Sequence, residues 1–363
     1  MKCVVCREPA VIDIRRHNAN FCPDHFLKLC RDQVEKAISD HDMLREGDRV
    51  LVAVSGGKDS LAVWDILLSL GFEADGLYVE LGIGDYSHTS TGYARRFAES
   101  RGLRLIEIDL VDSYGYDIPT GSRAARRTPC SACGLTKRHL FDRAALEGGY
   151  DVLVTGHNLD DEAAVLFGNV LRWQTEYLGR QRPVLPARDG FPKKVKPLVR
   201  LTERETAAYC IISGIDYLVD ECPMAAGNKH LGYKDALNDI EVQSPGTKSE
   251  FYFGFLRSVA DRFSDGLAGS GEDDGDGIEL GACTRCGAPS PSEVCAFCRL
   301  VERAGGVPRP VDPGAGADPH LDRGDGGTDD SSVMVPLGRR RGDLADLGSA
   351  DLGSADMGSD ART

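Results

Sequence analysis

A continuous apolar run that turns directly into a glycine-rich loop constrains the fold of this 363-residue chain more than any other feature. Residues Val50 to Val54 are all apolar, as in a strand that is buried on both faces of a parallel sheet. The next six residues read Ser-Gly-Gly-Lys-Asp-Ser and lead into the helical pattern of residues 61–70. Glycines let the backbone approach phosphate oxygens closely, and a helix N-terminus adds N–H donors and positive potential. The sequence therefore predicts an anion-binding loop at the end of a buried strand.

Strand-like and helix-like segments alternate along the chain after this loop. The strand candidates are residues 74–81, 103–110, 151–156, 195–201 and 217–219, and helices are expected at 27–46, 88–101, from about 160 onward and at 247–263. This alternation predicts an α/β fold with an open parallel sheet and helices on both faces. Ligands of such sheets bind outside the carboxyl ends of the strands, where the glycine-rich loop is expected.

Eight of the twelve cysteines occur in C-x-x-C pairs, the spacing that allows two thiolates to bind one metal ion. Two complete sets of four ligands can be formed, and each fills every position of a tetrahedral zinc site. The first set is Cys3, Cys6, Cys22 and His25, and the second is Cys283, Cys286, Cys295 and Cys298. We therefore expect two structural zinc ions, because neither set leaves a position open for chemistry.

The remaining pair, Cys130 and Cys133, has no second pair nearby. A third thiolate from Cys222, Cys30 or Cys210 would give a set suited to a [4Fe–4S] cluster with one open iron, or to a redox-active pair with a persulfide carrier. An incomplete third zinc site is the alternative. Cys30 and Cys210 lie in apolar, helix-like segments, and we expect both in the core.

Charge is unevenly distributed along the chain, which has a formal net charge of −14. Residues 264–363 contain 19 acidic and 9 basic residues, whereas residues 121–200 contain 14 basic and 8 acidic residues. The balance argues against non-specific coating of nucleic acid, although the basic midsection is compatible with a polyanion partner. The excess of aspartate over glutamate and of arginine over lysine is typical of a high-salt cytoplasm. We expect a cytoplasmic protein, since the chain shows no signal peptide and no apolar run of about 18 residues.

Composition and motifs divide the chain into five parts. We expect an N-terminal zinc module at residues 1–30, a catalytic domain at 31–263 and an acidic linker at 264–280. A C-terminal zinc module at 281–302 precedes a disordered acidic tail at 303–363, which is rich in glycine, proline and aspartate.

Several motifs together resemble the PP-loop ATP-pyrophosphatase superfamily and, within it, the TtuA/NcsA-type tRNA 2-thiouridine synthetases. The glycine-rich loop is similar to the PP-loop of that superfamily, and residues 1–302 contain the family's motifs in the family's order. The further motifs are Pro129-Cys130-Ser131-Ala132-Cys133-Gly134, Lys137-Arg138, Thr155-Gly156-His157-Asn158-Leu159-Asp160-Asp161-Glu162 and Glu221-Cys222-Pro223.

The resemblance implies that ATP binds with its phosphates on the loop and its adenosine beside the ends of the strands. The implied phosphate ligands are Ser55, Gly56, Gly57, Lys58, Asp59 and Ser60, and the implied adenosine contacts are Ala53, Val79 and Gly156. The C2 oxygen of a tRNA uridine would attack the α-phosphorus, and a sulfur species would then displace AMP. Magnesium would offset the phosphate charge.

The resemblance also implies a [4Fe–4S] cluster on Cys130, Cys133 and Cys222, whose fourth iron can carry the incoming sulfide. It gives catalytic roles to Lys137, as a cation near the phosphates, and to Asp161, which would also contact the nucleotide or its metal. Helix capping is the alternative for Asp161, and for Asp160 the residues alone leave both interpretations open.

A basic segment surrounds the predicted cluster cysteines, and it would contact tRNA phosphates or simply form a solvated helix face. Its members are Arg123, Arg126, Arg127, Lys137, Arg138 and Arg143. A weaker second patch contains Lys193, Lys194 and Lys196.

The composition suggests high salt rather than high temperature, and for this reason we expect the wobble uridine as the target. The uridine of the ribothymidine loop is the alternative. The resemblance implies a ubiquitin-like sulfur-carrier protein with a C-terminal thiocarboxylate as partner, and a homodimer. Two rival hypotheses are a PP-loop enzyme that thiolates cytidine or uses a cysteine persulfide, and a non-catalytic zinc-module nucleic-acid-binding protein with a nucleotide-sensing domain.

Overall fold

A computed structural model describes residues 1–188, 190–225, 229–263 and 280–310 of the chain. The expected acidic linker, apart from residue 280, and the expected tail beyond residue 310 lie outside these residues. Within the described part of the chain, no helix combines the length and the apolar character needed to cross a bilayer.

The described residues form ten strands, most of them short. They are β1 (Ile12–Ile14), β2 (Ala19–Phe21), β3 (Val50–Val54), β4 (Ala74–Glu80), β5 (Leu105–Asp109), β6 (Val152–Thr155), β7 (Val184–Leu185), β8 (Lys193–Val195), β9 (Gly281–Ala282) and β10 (Pro289–Ser290).

Twelve α-helices lie between and after these strands in the same part of the chain. They are α1 (Pro23–Asp40), α2 (Lys58–Ser69), α3 (Gly84–Arg101), α4 (Leu110–Tyr114), α5 (Ile118–Ala124), α6 (Pro129–Glu147), α7 (Leu159–Leu171), α8 (Thr175–Leu178), α9 (Glu203–Ile212), α10 (Lys229–Gln243), α11 (Thr247–Ser258) and α12 (Ala296–Arg303).

Six strands form the central sheet in the order β5-β4-β3-β6-β8-β7. All neighbours are parallel except the edge pair β7 and β8, which is antiparallel. The predicted α/β fold with an open parallel sheet is therefore confirmed. The chain winds outward from β3 to β5 and then returns to β6 on the other side of β3, so the carboxyl ends of β3 and β6 form the switch point where such sheets bind ligands.

The central strand β3 is buried on both faces, as its uninterrupted apolar sequence predicts. Val52 and Val54 pack into the core that includes residues of α1 and α2, such as the fully buried Trp64. Leu51 and Ala53 face the opposite side, where Ala144 of α6 completes a second core. Helices therefore cover both faces of the sheet.

Helix α1 begins directly after Cys22 and continues to Asp40, so it crosses the domain boundary expected at residue 30 without a break. Cys30 is fully buried in the main core, as is Cys210 of α9, which confirms the expectation for both residues. The N-terminal module thus shares its core with the domain that follows.

Two strand predictions are wrong. In place of a strand at residues 195–201, β8 ends at Val195 and a 3-10 helix spans Pro197–Arg200, because Pro197 has no N–H group for a strand ladder. Residues 217–219 form no strand and instead run beside the glycine-rich loop, where the Leu218 N–H donates to the Gly56 carbonyl at 2.9 Å.

The chain after α12 packs against the catalytic domain at residues 304–310, which the sequence assigns to the disordered tail. The Val307 N–H donates to the Tyr114 carbonyl at 3.1 Å. Arg143 of α6 donates to the carbonyls of Arg309 and Pro310, both at 3.0 Å. The first residues of the predicted tail are therefore part of the folded structure.

Candidate active site and metal centres

The glycine-rich loop turns sharply after β3 because Gly56 has a φ of +74°. A Cβ atom at this position would lie 2.4 Å from the Ser90 carbonyl oxygen of α3, so only glycine fits. The Ser90 hydroxyl donates to the Ser55 carbonyl at 2.7 Å, which fixes the beginning of the loop. The turn thus presents the N-terminus of α2 at the switch point of the sheet.

Four of the six predicted phosphate ligands line a pocket of about 420 Å³ beside this loop, namely Ser55, Gly57, Lys58 and Asp59. Ala207 of α9 and residues 217–220 line its other wall. Ser60 is buried instead, where its hydroxyl accepts from the Ser55 N–H at 3.1 Å and donates to the Gly57 carbonyl at 2.9 Å. Ser60 therefore shapes the loop from within.

The predicted adenosine contacts lie at the same edge of the sheet but outside that pocket. Ala53 pairs with Leu77, so Ala53 and Val79 share the sheet face that carries α6. Gly156 follows β6 and packs on the loop: a Cβ atom there would lie 2.9 Å from the Asp59 carbonyl carbon and from the Ser60 nitrogen. Ala53 and Val79 thus lie on the α6 side of the sheet, and Gly156 lies against the loop.

A chain of ion pairs runs from the loop to Asp161. Lys58 Nζ lies 3.0 Å from Asp59 Oδ2 and 2.7 Å from Glu203 Oε1. Lys234 Nζ of α10 lies 3.1 Å from Glu203 Oε2 and 2.6 Å from Asp161 Oδ1. Three carboxylates and two ammonium groups therefore alternate along one continuous path.

The sequence did not predict Glu203 and Lys234 as members of the site. A signal for the helix that carries Glu203 was nevertheless present, because Thr202-x-x-Glu205 has the pattern of a capping box. The structure contains this box, in which the Thr202 hydroxyl accepts from the Glu205 N–H and the Glu205 carboxylate accepts from the Thr202 N–H. No comparable local pattern points to Lys234.

Asp161 both caps a helix and belongs to this charge path. It is the third residue of α7, and its carboxylate accepts from the N–H of the N-cap residue Asn158 at 3.1 Å. Burial alone would raise the pKa of Asp161, but Lys234 and His157 outweigh it and hold that pKa below its usual value. Asp161 is thus an ionised carboxylate held in a defined position.

Asp160 has a structural position, which resolves the question that the sequence leaves open. It is buried, forms an ion pair with the buried Lys248 at 2.5 Å, and accepts from the Glu203 N–H at 2.9 Å. Asp160 therefore accepts a hydrogen bond from a backbone N–H in the first turn of α9 and does not face the pocket.

Asp59 differs from Asp161 in its protonation behaviour. Burial raises the pKa of Asp59, and the negative charge of Asp161 adds to this, against the opposing effects of Lys58 and of the Thr206 hydroxyl. Thr206 Oγ1 donates to Asp59 Oδ1 at 2.5 Å, and Asn158 Nδ2 donates to the same oxygen at 3.1 Å. Asp59 is therefore a heavily hydrogen-bonded residue that joins α2, α7 and α9.

The predicted cluster cysteines meet near the N-terminus of α6. Cys130 and Cys133 lie in the first turns of this helix, and Cys133 packs with Cys222 against a common apolar core. Cys130 is exposed, and its sulfur lies 3.6 Å from the Met224 carbonyl oxygen, two residues beyond Cys222. Burial raises the pKa of Cys133, whereas the nearby Lys137 opposes this effect.

The sulfurs of Cys130, Cys133 and Cys222 do not all lie within 4.8 Å of one another, in contrast to the ligand atoms of the two compact groups found in the described residues. This spacing disfavours a third zinc site and suits a cluster, in which each thiolate binds a different iron. Lys137 lies one turn further along α6, is half-buried and makes no hydrogen bond or ion pair with another described residue. Its ammonium group is therefore available to a ligand.

The basic segment is only partly available to a polyanion. Arg123, Arg126, Arg127 and Arg138 are exposed. Arg143 is 11% exposed and bound to Glu147, Tyr114 and the chain after α12, so its assignment to an RNA-binding face is wrong.

The three lysines of the second basic patch are engaged in contacts within the protein. Lys194 pairs with Asp142 at 2.6 Å and Lys196 with Glu162 at 2.8 Å. Lys193 donates to the Asp42 carbonyl at 2.8 Å. These three lysines hold β8 in place.

The four predicted ligands of the N-terminal module converge. The ligand atoms of Cys3, Cys6, Cys22 and His25 all lie within 4.8 Å of one another, and the Cys6 and Cys22 sulfurs are 3.6 Å apart. Bonds of about 2.3 Å in a tetrahedral zinc site place two sulfurs about 3.8 Å apart, so the group fits a metal ion. Burial opposes ionisation of Cys3, but the N–H groups of Cys6 and Cys22 outweigh it and lower the Cys3 pKa to about 6.

The four cysteines of the C-terminal module form a second group of the same size. Cys283, Cys286, Cys295 and Cys298 are all buried, and the Cys286 and Cys295 sulfurs are 3.7 Å apart. Phe297 lies between two of them and stacks on His139 of α6, with ring centroids 4.0 Å apart. Burial lowers the pKa of His139 to about 4, so this imidazole is neutral.

Comparisons with known proteins agree with this geometry. Residues 2–27 match the family model of the 2-thiouridine synthetase TtuA N-terminal LIM domain, and residues 28–226 match the PP-loop domain. The chain is 48% identical over 300 residues to the tRNA-5-methyluridine(54) 2-sulfurtransferase of Thermus thermophilus, an alignment that covers 83% of this chain and 91% of the relative. Its identity to the enzyme of the same name from Pyrococcus horikoshii is 40%, over 83% and 93% of the two chains.

More distant relatives include the tRNA 2-thiolation protein NcsA of Haloferax volcanii, at 27% identity over 83% of this chain and 98% of that protein. A solved structure, the U34-tRNA thiolase NcsA from Methanococcus maripaludis with its [4Fe–4S] cluster, superposes with a TM-score of 0.70 at 25% identity. That match covers 85% of this chain and 98% of the other. The alternative of a non-catalytic binding protein finds no support among these relatives. The chain belongs to the TtuA/NcsA family of tRNA 2-thiolation enzymes with a PP-loop domain.

Proposed function

We propose that this protein uses ATP to 2-thiolate a tRNA uridine, and that its target is 5-methyluridine 54 in the ribothymidine loop. Three relatives with 39 to 48% identity are named as enzymes of that position. The relatives named NcsA or cytoplasmic tRNA 2-thiolation protein 1 are 27 to 28% identical. The proposal therefore adopts the alternative target rather than the wobble uridine that composition favoured.

One observation carries the proposed chemistry: the glycine-rich loop of residues 55–60, called the phosphate-binding loop from here on, lies at the same edge of the sheet as the start of α6, which bears the cysteines. A helix that connects two parallel strands runs antiparallel to them, so the N-terminus of α6 points to the carboxyl ends, where β3 ends in Ser55. Activation of the base and delivery of sulfur require two groups that can reach one atom, and this arrangement provides both.

In the first step, Ser55, Gly57 and Lys58 would hold the phosphates while the uridine C2 oxygen attacks the α-phosphorus and pyrophosphate leaves. Lys58 and the N-terminus of α2 would stabilise the negative charge that develops on the phosphate oxygens. Magnesium, which we propose as the counter-ion of the nucleotide, would be held by carboxylates of the charge path such as Asp161. Lys137 would contact the adenylated base or the leaving AMP from the side of α6.

In the second step, sulfur replaces the adenylate oxygen at C2, and AMP leaves. We propose that Cys130, Cys133 and Cys222 hold a [4Fe–4S] cluster, because two thiols of α6 and one from the segment after α9 lie near one another without forming a compact metal-ion group. Such a cluster would supply an open iron able to carry the sulfur atom. Exposure of Cys130 leaves this position accessible to the tRNA.

The remaining proposals concern metals and partners. We propose zinc in both compact four-ligand groups, since neither group has an open position and both have tetrahedral spacing. The family resemblance is the basis for a ubiquitin-like sulfur-carrier protein with a C-terminal thiocarboxylate, for a homodimer and for a cytoplasmic location.

Nucleoside mass spectrometry of bulk tRNA from cells that lack this gene tests the proposal. We expect loss of 5-methyl-2-thiouridine, restored by the wild-type gene and not by Lys58→Ala. Lys36→Ala, on the exposed side of α1, is the matched control and should restore it fully. Loss of 2-thiolated wobble uridine would move the target to position 34, and survival of every 2-thiouridine would contradict the proposed function.

A further inference from the structure

Helix α9 presents one face to the phosphate-binding loop. Glu203, Thr206, Ala207 and Cys210 are spaced so that they share a face of the helix. Thr206 donates to Asp59, Ala207 lines the pocket, and the Cys210 thiol donates to the Lys58 carbonyl at 3.3 Å. The helix is therefore part of the nucleotide site, although no residue of α9 belongs to the expected ligand set.

Glu203 stands at the start of this face with a fixed backbone and a partly free side chain. Its N–H donates to Asp160 Oδ2, and Asp160 is held in turn by the buried Lys248. The Glu203 side chain is 40% exposed, and each of its oxygens contacts a different lysine. It can therefore lose one lysine and keep the other without any movement of the helix.

Lys58 requires an anion in this half-buried position. A lysine with 20% exposure that lacks a partner is unfavourable, because its lost hydration is not replaced. Asp59 Oδ2 lies 3.0 Å from Lys58 Nζ, and Glu203 Oε1 supplies the closer partner at 2.7 Å. A phosphate oxygen is an acceptor of the same kind with more charge, so an incoming nucleotide can take this place.

Lys234 is the partner that Glu203 keeps when a phosphate replaces Glu203 at Lys58. Lys234 contacts both Glu203 and Asp161, so it neutralises the carboxylate that would otherwise face the triphosphate alone. It also holds Asp161 Oδ1 at 2.6 Å, while the Asn158 N–H donates to Oδ2 of the same carboxylate. The same ammonium group thus serves two carboxylates of the site.

We propose that the Glu203 carboxylate pairs with Lys58 until the nucleotide phosphates take its place. Once the phosphates have displaced Glu203 from Lys58, Lys234 is the positioning residue that retains Glu203 and orients Asp161. This inference rests on the proposed function, since it concerns the ATP site of that reaction. Neither residue is assumed to touch the reacting atoms.

Isothermal titration of the full-length protein with ATP tests the exchange. Glu203→Gln weakens the competitor for Lys58, so the Kd for ATP should fall about two- to fivefold, the range of a partly exposed ion pair. Lys234→Met leaves Glu203 unpaired beside the phosphates, so the Kd should rise by about the same factor. Lys234→Arg should restore most of the affinity, and Lys36→Met should leave the Kd unchanged.

The opposite signs separate this proposal from a merely structural role, in which both variants would weaken binding. The double variant should return the Kd to near the wild-type value, because the unpaired carboxylate is gone. In tRNA thiolation, Lys234→Met should also lower kcat, whereas Glu203→Gln should act mainly on the KM for ATP. Weaker ATP binding in both single variants, or no change in either, would overturn the proposal. Failure of the proposed function would appear separately, as wild-type protein that binds ATP but thiolates no tRNA.

Discussion

The two metal-binding modules are attached to the catalytic domain by different kinds of contact. The N-terminal module contacts α9 through charged side chains: Arg16 forms a bidentate pair with Glu205, and Asp13 pairs with Arg204. The C-terminal module contacts α5 and α6 through an apolar core, in which Phe297 stacks on His139 and meets Tyr114 edge-on. The N-terminal module thus adds directional ion pairs to the apolar core that it shares with the catalytic domain, whereas the C-terminal module depends mainly on packing.

This difference indicates that each module supports a different half of the active site. The charged attachment ends at α9, two residues from Glu203 and the ATP pocket. The apolar attachment ends at α6, which carries Cys130, Cys133 and Lys137. Damage to one module should therefore affect nucleotide binding, and damage to the other should affect the sulfur chemistry.

The largest expected effect is the loss of a metal ligand from the C-terminal module. We expect Cys295→Ser to lose its zinc, to loosen α12 against α6, and to lose iron and tRNA thiolation entirely while ATP binding changes little. Metal analysis of the purified protein together with ATP titration would measure this. Cys6→Ser is the matched control in the other module, and it should lose zinc but keep iron. Equal iron loss in both variants would abolish the proposed division of labour.

The next effect concerns the charged attachment. Arg16 and Glu205 are 10% and 3% exposed, so Arg16→Met leaves a buried carboxylate without its cation. We expect a loss of about 3–5 kcal/mol in the free energy of unfolding, measured in urea. Arg16→Met with Glu205→Gln should recover a large part of this, because the amide can still accept from the Thr202 N–H. A change below 1 kcal/mol in the single variant would show that the pair contributes little to the attachment.

The smallest effect concerns aromatic stacking in the apolar attachment. Phe297→Leu keeps most of the buried area but removes the contacts with the His139 and Tyr114 rings, so we expect a loss of about 1 kcal/mol in the free energy of unfolding. Arg299, on the exposed side of the same helix, offers the control substitution Arg299→Lys. A loss as large as that for Arg16→Met would mean that the two attachments are equally sensitive to a single side chain.

The sequence predicted those parts of the site that are built from adjacent residues. The uninterrupted run from Val50 to Val54 and the two glycines after it determine a strand and its turn locally, so both were predicted correctly. The ligand sets of the two compact metal groups were predicted because short spacings bring their members together along the chain.

Contacts between distant parts of the chain could not be predicted in this way. Lys58 and Glu203 are 145 residues apart, and nothing near either one reveals the pairing. Arg143 looked like part of a basic surface because its binding to the carbonyls of Arg309 and Pro310 depends on where the residues after α12 lie. The strand expected at 195–201 contains Pro197, which has no N–H group to donate to a neighbouring strand, and a 3-10 helix forms there instead.

The contact at Gly156 has a mechanical consequence. The turn after β6 touches the backbone of the phosphate-binding loop so closely that not even one carbon atom fits between them. Because the two backbones are in direct contact, we expect the turn after β6 to follow a shift of the loop. Any displacement of the loop by a triphosphate must therefore be transmitted to His157 and to the beginning of α7. The close approach at Gly156 thus links the position of the loop to the helix that carries Asp161.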